Sequence, residues 1–257
     1  MIQLVIVLLV CGFIGGIAGY IGSLMVTKRM SLMGGSLGHL TLPGITLALI
    51  YGFDVSIGAL LFLGMGILLI WLFELRTKLP LEALTAVVFA SSVAVAFLFL
   101  PEEHTYQALI GDVSQVSPVV VIVSVISCLL VFMVTRNIFP KIILSTISED
   151  LAQSEGVSVK KYNLIYLGCI ALTVALGVRI VGGLMTAALV AIPASTSRNV
   201  SRNLKQYAYL GMLFGMLSCV IGVLASSVTG VSAGPLIIIS NAVFFLASLA
   251  FKKSYIS

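Results

Sequence analysis

The sequence predicts an all-α, polytopic transmembrane helical bundle of about nine spans, and three observations predict it. Of 257 residues, 60% are apolar and only 9% are charged, against roughly a quarter in soluble domains. The apolar residues fall into runs near the ~20 residues needed to cross a bilayer core of ~30 Å. The basic residues sit at the ends of those runs. A chain so poor in charge cannot cover a water-facing surface, so lipid is its solvent over most of its area.

Nine segments carry the pattern: 2–27, 31–52, 54–73, 81–100, 118–138, 161–178, 180–197, 206–227 and 234–251. A count of eight to ten is compatible with it, because 31–52 holds glycines, His39 and Pro43 and reads as a span open to being broken or re-entrant. The first run starts almost at Met1 without a basic n-region and is too long for a signal-peptide core, so it reads as a retained helix.

Lys and Arg favour the cytoplasmic side of a membrane. With alternate connections inside, Lys28, Arg29, Arg76, Lys78, Arg136, Lys141, Lys160, Lys161, Arg198, Arg202, Lys205, Lys252 and Lys253 all become cytoplasmic, and of the 14 basic residues only Arg179 does not. Asp54, Glu102, Glu103 and Asp112 fall on the opposite side. The expected topology puts the N-terminus outside and the C-terminus inside. No repeat or low-complexity stretch interrupts the chain, so residues 1–257 read as one domain. Two connections are long, 101–117 outside and 139–160 inside.

Several functions are excluded. The net charge of +5 comes from scattered topology signals, whereas nucleic-acid binding needs a clustered basic face. Cys11, Cys128, Cys169 and Cys219 lie singly in apolar runs and suggest neither a disulfide framework nor a zinc finger. There is no Walker sequence to cradle ATP, no HExxH and no Ser/His/Asp arrangement. The chain carries no catalytic residues and no cofactor of its own.

Within 139–160, Ser148 has N-cap chemistry, Glu149 and Asp150 suit a first turn, and Gly156 suits the residue after a helix end. The stretch 148–157 thus predicts a short cytoplasmic helix, read either as a solvated connector or as a docking helix for a partner. Among intramembrane polar residues, His39 reads either as a lining group of a pathway, able to take a transition metal, or as a packed imidazole. Gly34, Gly35 and Gly38 permit close approach around it, and Pro43 frees an upstream carbonyl. Glu82 opens the fourth span near an interface. Arg179 separates two apolar stretches and can snorkel to the outer surface. Ser195, Thr196 and Ser197, after Pro193, read as a helix terminus.

From Lys28 to Lys253 the chain resembles the permease subunits of bacterial zinc/manganese/iron ABC importers. The likeness rests on Arg29-Met30 through Gly38-His39, on Ile147–Ala152 with Gly156-Val157, on Arg179-Ile180-Val181-Gly182 through Ile192-Pro193-Ala194-Ser195-Thr196-Ser197-Arg198, and on Ala233-Gly234-Pro235. The resemblance implies a type II importer-like fold, a homodimer in the inner membrane with a pathway on its two-fold axis, two copies of a cytoplasmic ATPase that bind ATP, and an extracytoplasmic metal-binding protein. It implies that Glu149, Asp150, Leu151, Ala152 and Gly156 form the ATPase-coupling helix, that His39 contacts the transported zinc, manganese or iron, and that Gly34, Gly35, Gly38 and Pro43 form a gate or hinge. The outer loop 101–117 would receive the binding protein. Three positions depart from the family pattern: Gly35 and Gly230 stand where Asp is usual, and Gln107 where His is usual. The function expected is ATP-driven import of a divalent metal by alternating access. The alternatives are a permease for a metal chelate or other small solute, and a secondary transporter.

Overall fold

The computed structural model describes residues 2–28, 30, 33–77, 79–99, 118–183 and 185–250. Among them the chain is helical without strands: α1 (Ile2–Thr27), α2 (Met33–Leu40), α3 (Leu42–Tyr51), α4 (Val55–Arg76), α5 (Leu81–Phe99), α6 (Pro118–Ile147), α7 (Glu149–Ser154), α8 (Val159–Val181), α9 (Thr186–Val200), α10 (Leu204–Thr229) and α11 (Ala233–Leu249). Five stretches, in α1, α4, α6, α8 and α10, are long and apolar enough to cross a membrane. Shorter apolar helices lie in α5 and α11, and among the described residues the pair α2–α3, the short α7 and helix α9 make up the rest of the bundle.

Helices in lipid gain nothing from hiding apolar side chains from one another, so small residues that let backbones touch decide which pairs form. The tightest pair here is α1 against α10. A Cβ on Gly15 would lie 2.4 Å from the Gly215 carbonyl oxygen, and one on Gly19 would lie 2.0 Å from that of Gly211. The approach is reciprocal, since Cβ atoms on Gly215 and Gly211 would meet the carbonyls of Gly15 and Gly19 at 2.1 and 2.7 Å. One turn further along α1, Gly22 sets its backbone against the Val190 carbonyl of α9. Helix α9 is thereby enclosed by α1, α2, α8, α10 and α11, and its Leu189, Val190, Pro193 and Ala194 are buried. At 15 residues it is ~22 Å long, too short to span on its own.

Several expected boundaries move. The span expected over 31–52 is two helices that meet at Thr41. Pro43 cannot donate to the His39 carbonyl four residues back, and its ring crowds that carbonyl; the Thr41 hydroxyl donates instead to the Gly38 carbonyl. The segment 118–138 continues as α6 to Ile147 with Pro140 inside it, so most of the 139–160 connection is helix. The break expected at Arg179 falls later: α8 runs to Val181 and stops at Gly182, whose φ of 80° is a conformation that favours glycine. Helix α9 then begins at Thr186 and continues to Val200. Ser195, Thr196 and Ser197 are therefore interior helical residues, not a terminus. The hydroxyls of Ser195 and Thr196 donate to the Ala191 and Ile192 carbonyls, and Ser197 donates to the Tyr207 carbonyl of α10.

The four cysteines are buried and unpaired in the packed interior, as their isolated placement in apolar runs predicts.

Candidate functional site

The polar residues singled out by the sequence gather into two regions, one at the α2–α3 break and one at the end of the bundle that carries Lys28.

At the break, α2 lies against α5, α8 and α9. Gly38 sits where a Cβ would come within 2.7 Å of the Gly183 carbonyl oxygen. Gly35 is also a contact, because its Cβ would lie 3.2 Å from the Ala187 Cβ of α9. A side chain at 35 would need α9 to give by a few tenths of an ångström, so glycine eases this contact at a position where the resembling family carries an acid. Gly230 is likewise constrained: it closes α10 with φ 71°, a backbone state that costs side-chain-bearing residues. Gly34 lies in the first turn of α2. Across α3, Gly44 and Gly58 bring α3 and α4 into backbone contact, with a Cβ on Gly44 falling 2.1 Å from the Gly58 carbonyl oxygen. Gly35, Gly38, Gly44 and Gly58 thus sit at close helix contacts, and the break between α2 and α3 falls at Thr41.

His39 ends α2, half-buried, with its ring 5.5 Å centroid to centroid from Phe89 of α5. Among the described residues its side chain makes no hydrogen bond, and no group of three or more His, Cys, Asp or Glu is assembled to hold a metal. Within one copy of the chain, His39 is a single imidazole. Glu82 is exposed in the first turn of α5, where a carboxylate complements the positive end of the helix dipole. Arg179 lies in the last turn of α8, and the 101–117 loop with Gln107 lies outside the described residues.

The second region contains α7, built as its sequence dictates. The Ser148 hydroxyl accepts from the Leu151 N–H at 3.2 Å, and Glu149 and Asp150 occupy the first turn. At the other end, Gly156 takes φ 73°. Its N–H donates to the Gln153 carbonyl, and the Val157 N–H donates to that of Ala152 at 2.8 Å, which together form a Schellman closure. Ala152 is fully buried and seats the helix on the bundle. Glu149, Asp150 and Leu151 face away from the bundle and are exposed. The helix thus presents two carboxylates and one leucine on a rigid, capped turn.

Sequence reasoning missed one cluster beside α7. Lys28, just past α1, donates from Nζ to Asn163 Oδ1 of α8 at 2.7 Å. Asn163 Nδ2 in turn donates to Glu74 Oε1 of α4 at 3.1 Å. Burial pushes the Lys28 ammonium below the ordinary lysine range, opposed by the carboxylates of Glu74 and Glu149. Lys28 was legible only as a topology signal; Asn163 in the first two turns of an apolar helix was the available clue. The same end of the bundle also holds Arg198, Ser201 and Arg202, which line a cavity of about 370 Å³ with Thr27 and Tyr207.

A bundle whose core contains an interrupted helix, with a capped acidic helix projecting at its basic end, defines a multi-pass membrane protein of the permease kind. The model of the ABC 3 transport family matches residues 2–252, and the chain belongs to that family. It is 28% identical over 242 residues to the high-affinity zinc uptake system membrane protein ZnuB of Buchnera aphidicola subsp. Baizongia pistaciae, covering 90% of this chain and 91% of that one. It is 26% identical to the manganese import system permease protein ScaB of Streptococcus gordonii, over 95% and 90% of the two chains. The fold matches that of PsaBC from Streptococcus pneumoniae, solved in complex with Fab, with a TM-score of 0.81 at 23% identity, covering 95% of this chain and 89% of that one.

Proposed function

We propose that this chain is the membrane-spanning permease subunit of an ATP-driven importer for a divalent metal ion, zinc or manganese, in a bacterial inner membrane. The observation that carries the reading is the family match over nearly the whole chain, together with relatives named for zinc uptake and manganese import. Two copies of the chain form the pathway at their interface, and ATP is hydrolysed on two separate cytoplasmic subunits. An extracytoplasmic metal-binding protein delivers the ion to the face carrying 101–117.

In this reading α7 lies in the cytoplasm with the C-terminus, and the N-terminus lies outside. Closure of the ATPase dimer pushes on α7, whose Ala152 seat passes the displacement to the ends of α6 and α8. The bundle then rocks between outward- and inward-facing states, and the Thr41–Pro43 junction absorbs the change in α2–α3. The ion is passed along polar groups without covalent chemistry on this chain. His39 is the metal contact, and a two-fold axis would double it to a pair of imidazoles. A neutral imidazole suits zinc better than manganese, whose preferred donors are carboxylate, carbonyl and water oxygens.

His39→Ala tests the assignment. In proteoliposomes containing the full complex, uptake of the transported ion is expected to fall roughly tenfold, within the range of effects seen when a metal-binding contact is disturbed. ATPase assembly should be unchanged. Uptake at the normal rate would remove His39 from the pathway. Parallel measurements with zinc, manganese and iron identify the cargo.

A further inference from the structure

We propose that Lys28 is the electrostatic link that carries movement of α7 into the core of the bundle, by exchanging an Asn163-bridged contact with Glu74 for a direct ion pair. This inference rests on the reading of α7 as the docking element.

Three elements converge on one ammonium group, and α7 packs against one of them. Lys28 follows α1, Asn163 belongs to α8 and Glu74 to the last turn of α4, while α7 lies against α8. Asn163 is 8% exposed and is spent on both sides, accepting from Lys28 and donating to Glu74. The Lys28 ammonium also lies 5.6 Å from the centre of the Tyr166 ring, a side chain wholly buried in α8. A lysine serving only as a topology signal would extend into water or headgroups. This one is folded back into the protein.

The arrangement is incompletely satisfied. Among the described residues, Glu74 Oε2 is buried without a hydrogen-bond partner. Of the three N–H donors on Lys28, one is used by Asn163, and among the described residues no direct ion pair joins Lys28 to Glu74 or Glu149. A cation tied to a buried carboxylate only through an amide has a second arrangement close at hand. Displacement of α7, which packs against α8, would shift Asn163 with the first turns of α8, and the spare oxygen of Glu74 would then take the ammonium. Such a discrete two-state contact is what transmits a switch through an otherwise close-packed interior. The consequence is directional: Lys28 is continuous with α1, α1 is locked to α10 through Gly15, Gly19, Gly211 and Gly215, and a pull on Lys28 therefore moves the pair.

The test uses the complete complex in proteoliposomes, with ATP hydrolysis and zinc or manganese uptake measured in the same preparation and expressed as ions moved per ATP. For Lys28→Met, the ATPase is expected to remain in the complex and to keep hydrolysing ATP, while ions per ATP fall at least tenfold. Lys28→Arg, which keeps the charge, should retain more than half of the coupling. Glu74→Gln, which keeps the shape, should lose it, and the double variant Lys28→Met with Glu74→Gln should be no worse than either single change. Unchanged ions per ATP in assembled Lys28→Met or Glu74→Gln complexes would overturn the proposal. Equal loss in Lys28→Arg and Lys28→Met would do so too, since it would make the site a packing anchor. If Lys28→Met does not assemble, Glu74→Gln decides alone. Failure of the docking reading is separately visible, because it would show as normal ATPase association when the acids of α7 are reversed.

Discussion

Gly19→Val is expected to prevent the bundle from forming a stable, monodisperse protein. The Gly19 Cβ position lies 2.0 Å from the Gly211 carbonyl oxygen, far inside van der Waals contact, and the obstacle is backbone that cannot rotate away. Relief requires α1 and α10 to separate by more than an ångström along an interface that also includes Gly15 and Gly215. Overpacking of this kind costs about 3 kcal/mol or more, equivalent to a fall of about 10 °C in Tm for a chain of this size. The effect should extend to α9, which Gly22 of the same helix holds in place. Gly64→Ala is the matched control: nothing lies within 4 Å of its Cβ position, and alanine is the better helix former by about 1 kcal/mol. Thermal scans with size-exclusion profiles of the detergent-solubilised variants check both. A Gly19→Val protein with an unaltered Tm would mean that α1 and α10 are not packed as described.

The second large effect is loss of the ATPase from the complex when Glu149 and Asp150 are both changed to arginine. The two carboxylates are exposed at the start of a helix fixed by a Ser148 cap and a Gly156 closure, so they are presented to a partner with little freedom to reorient. Reversing both charges sets like against like at the interface, which costs several kcal/mol, and co-purified ATPase should fall by at least ~100-fold. Part of that change comes from the helix itself, because arginines at its positive end are unfavourable by up to about 1 kcal/mol each. Ser148→Ala separates the two contributions: it weakens the cap by ~1 kcal/mol and leaves the charges in place, so association should fall only about tenfold or less.

How much of this was legible in the sequence depended on whether a feature was local. The α7 helix is set by Ser148, the acidic pair and Gly156, all within nine residues, and its cap and closure formed as read. The all-helical, apolar character followed from composition, and so did the isolation of the four cysteines; the nine spans expected compare with five helices long and apolar enough to cross a membrane among the described residues. Boundaries failed where a proline or an arginine was taken as punctuation. Pro193 is buried inside α9, where neighbouring helices shield the backbone it disturbs, Pro140 lies exposed inside α6, and the true stop before α9 is Gly182. The candidate site was legible in its residues and not in its contacts. Gly35 looked like a missing metal ligand, and only the structure shows it as a close helix contact, its Cβ position 3.2 Å from Ala187. The Lys28–Asn163–Glu74 chain joins positions separated by 135 and 89 residues, and no spacing rule reaches across such distances.

The central claim, that α7 is the cytoplasmic handle of a metal importer, is tested most directly by its accessibility. With the four native cysteines replaced, Gln153→Cys on the exposed side of α7 is treated with a membrane-impermeant maleimide in intact cells and in inverted vesicles. The account predicts labelling in inverted vesicles only, and protection there when the ATPase is bound. Labelling from outside sealed cells would place α7 beyond the reach of any cytoplasmic ATPase and contradict the account.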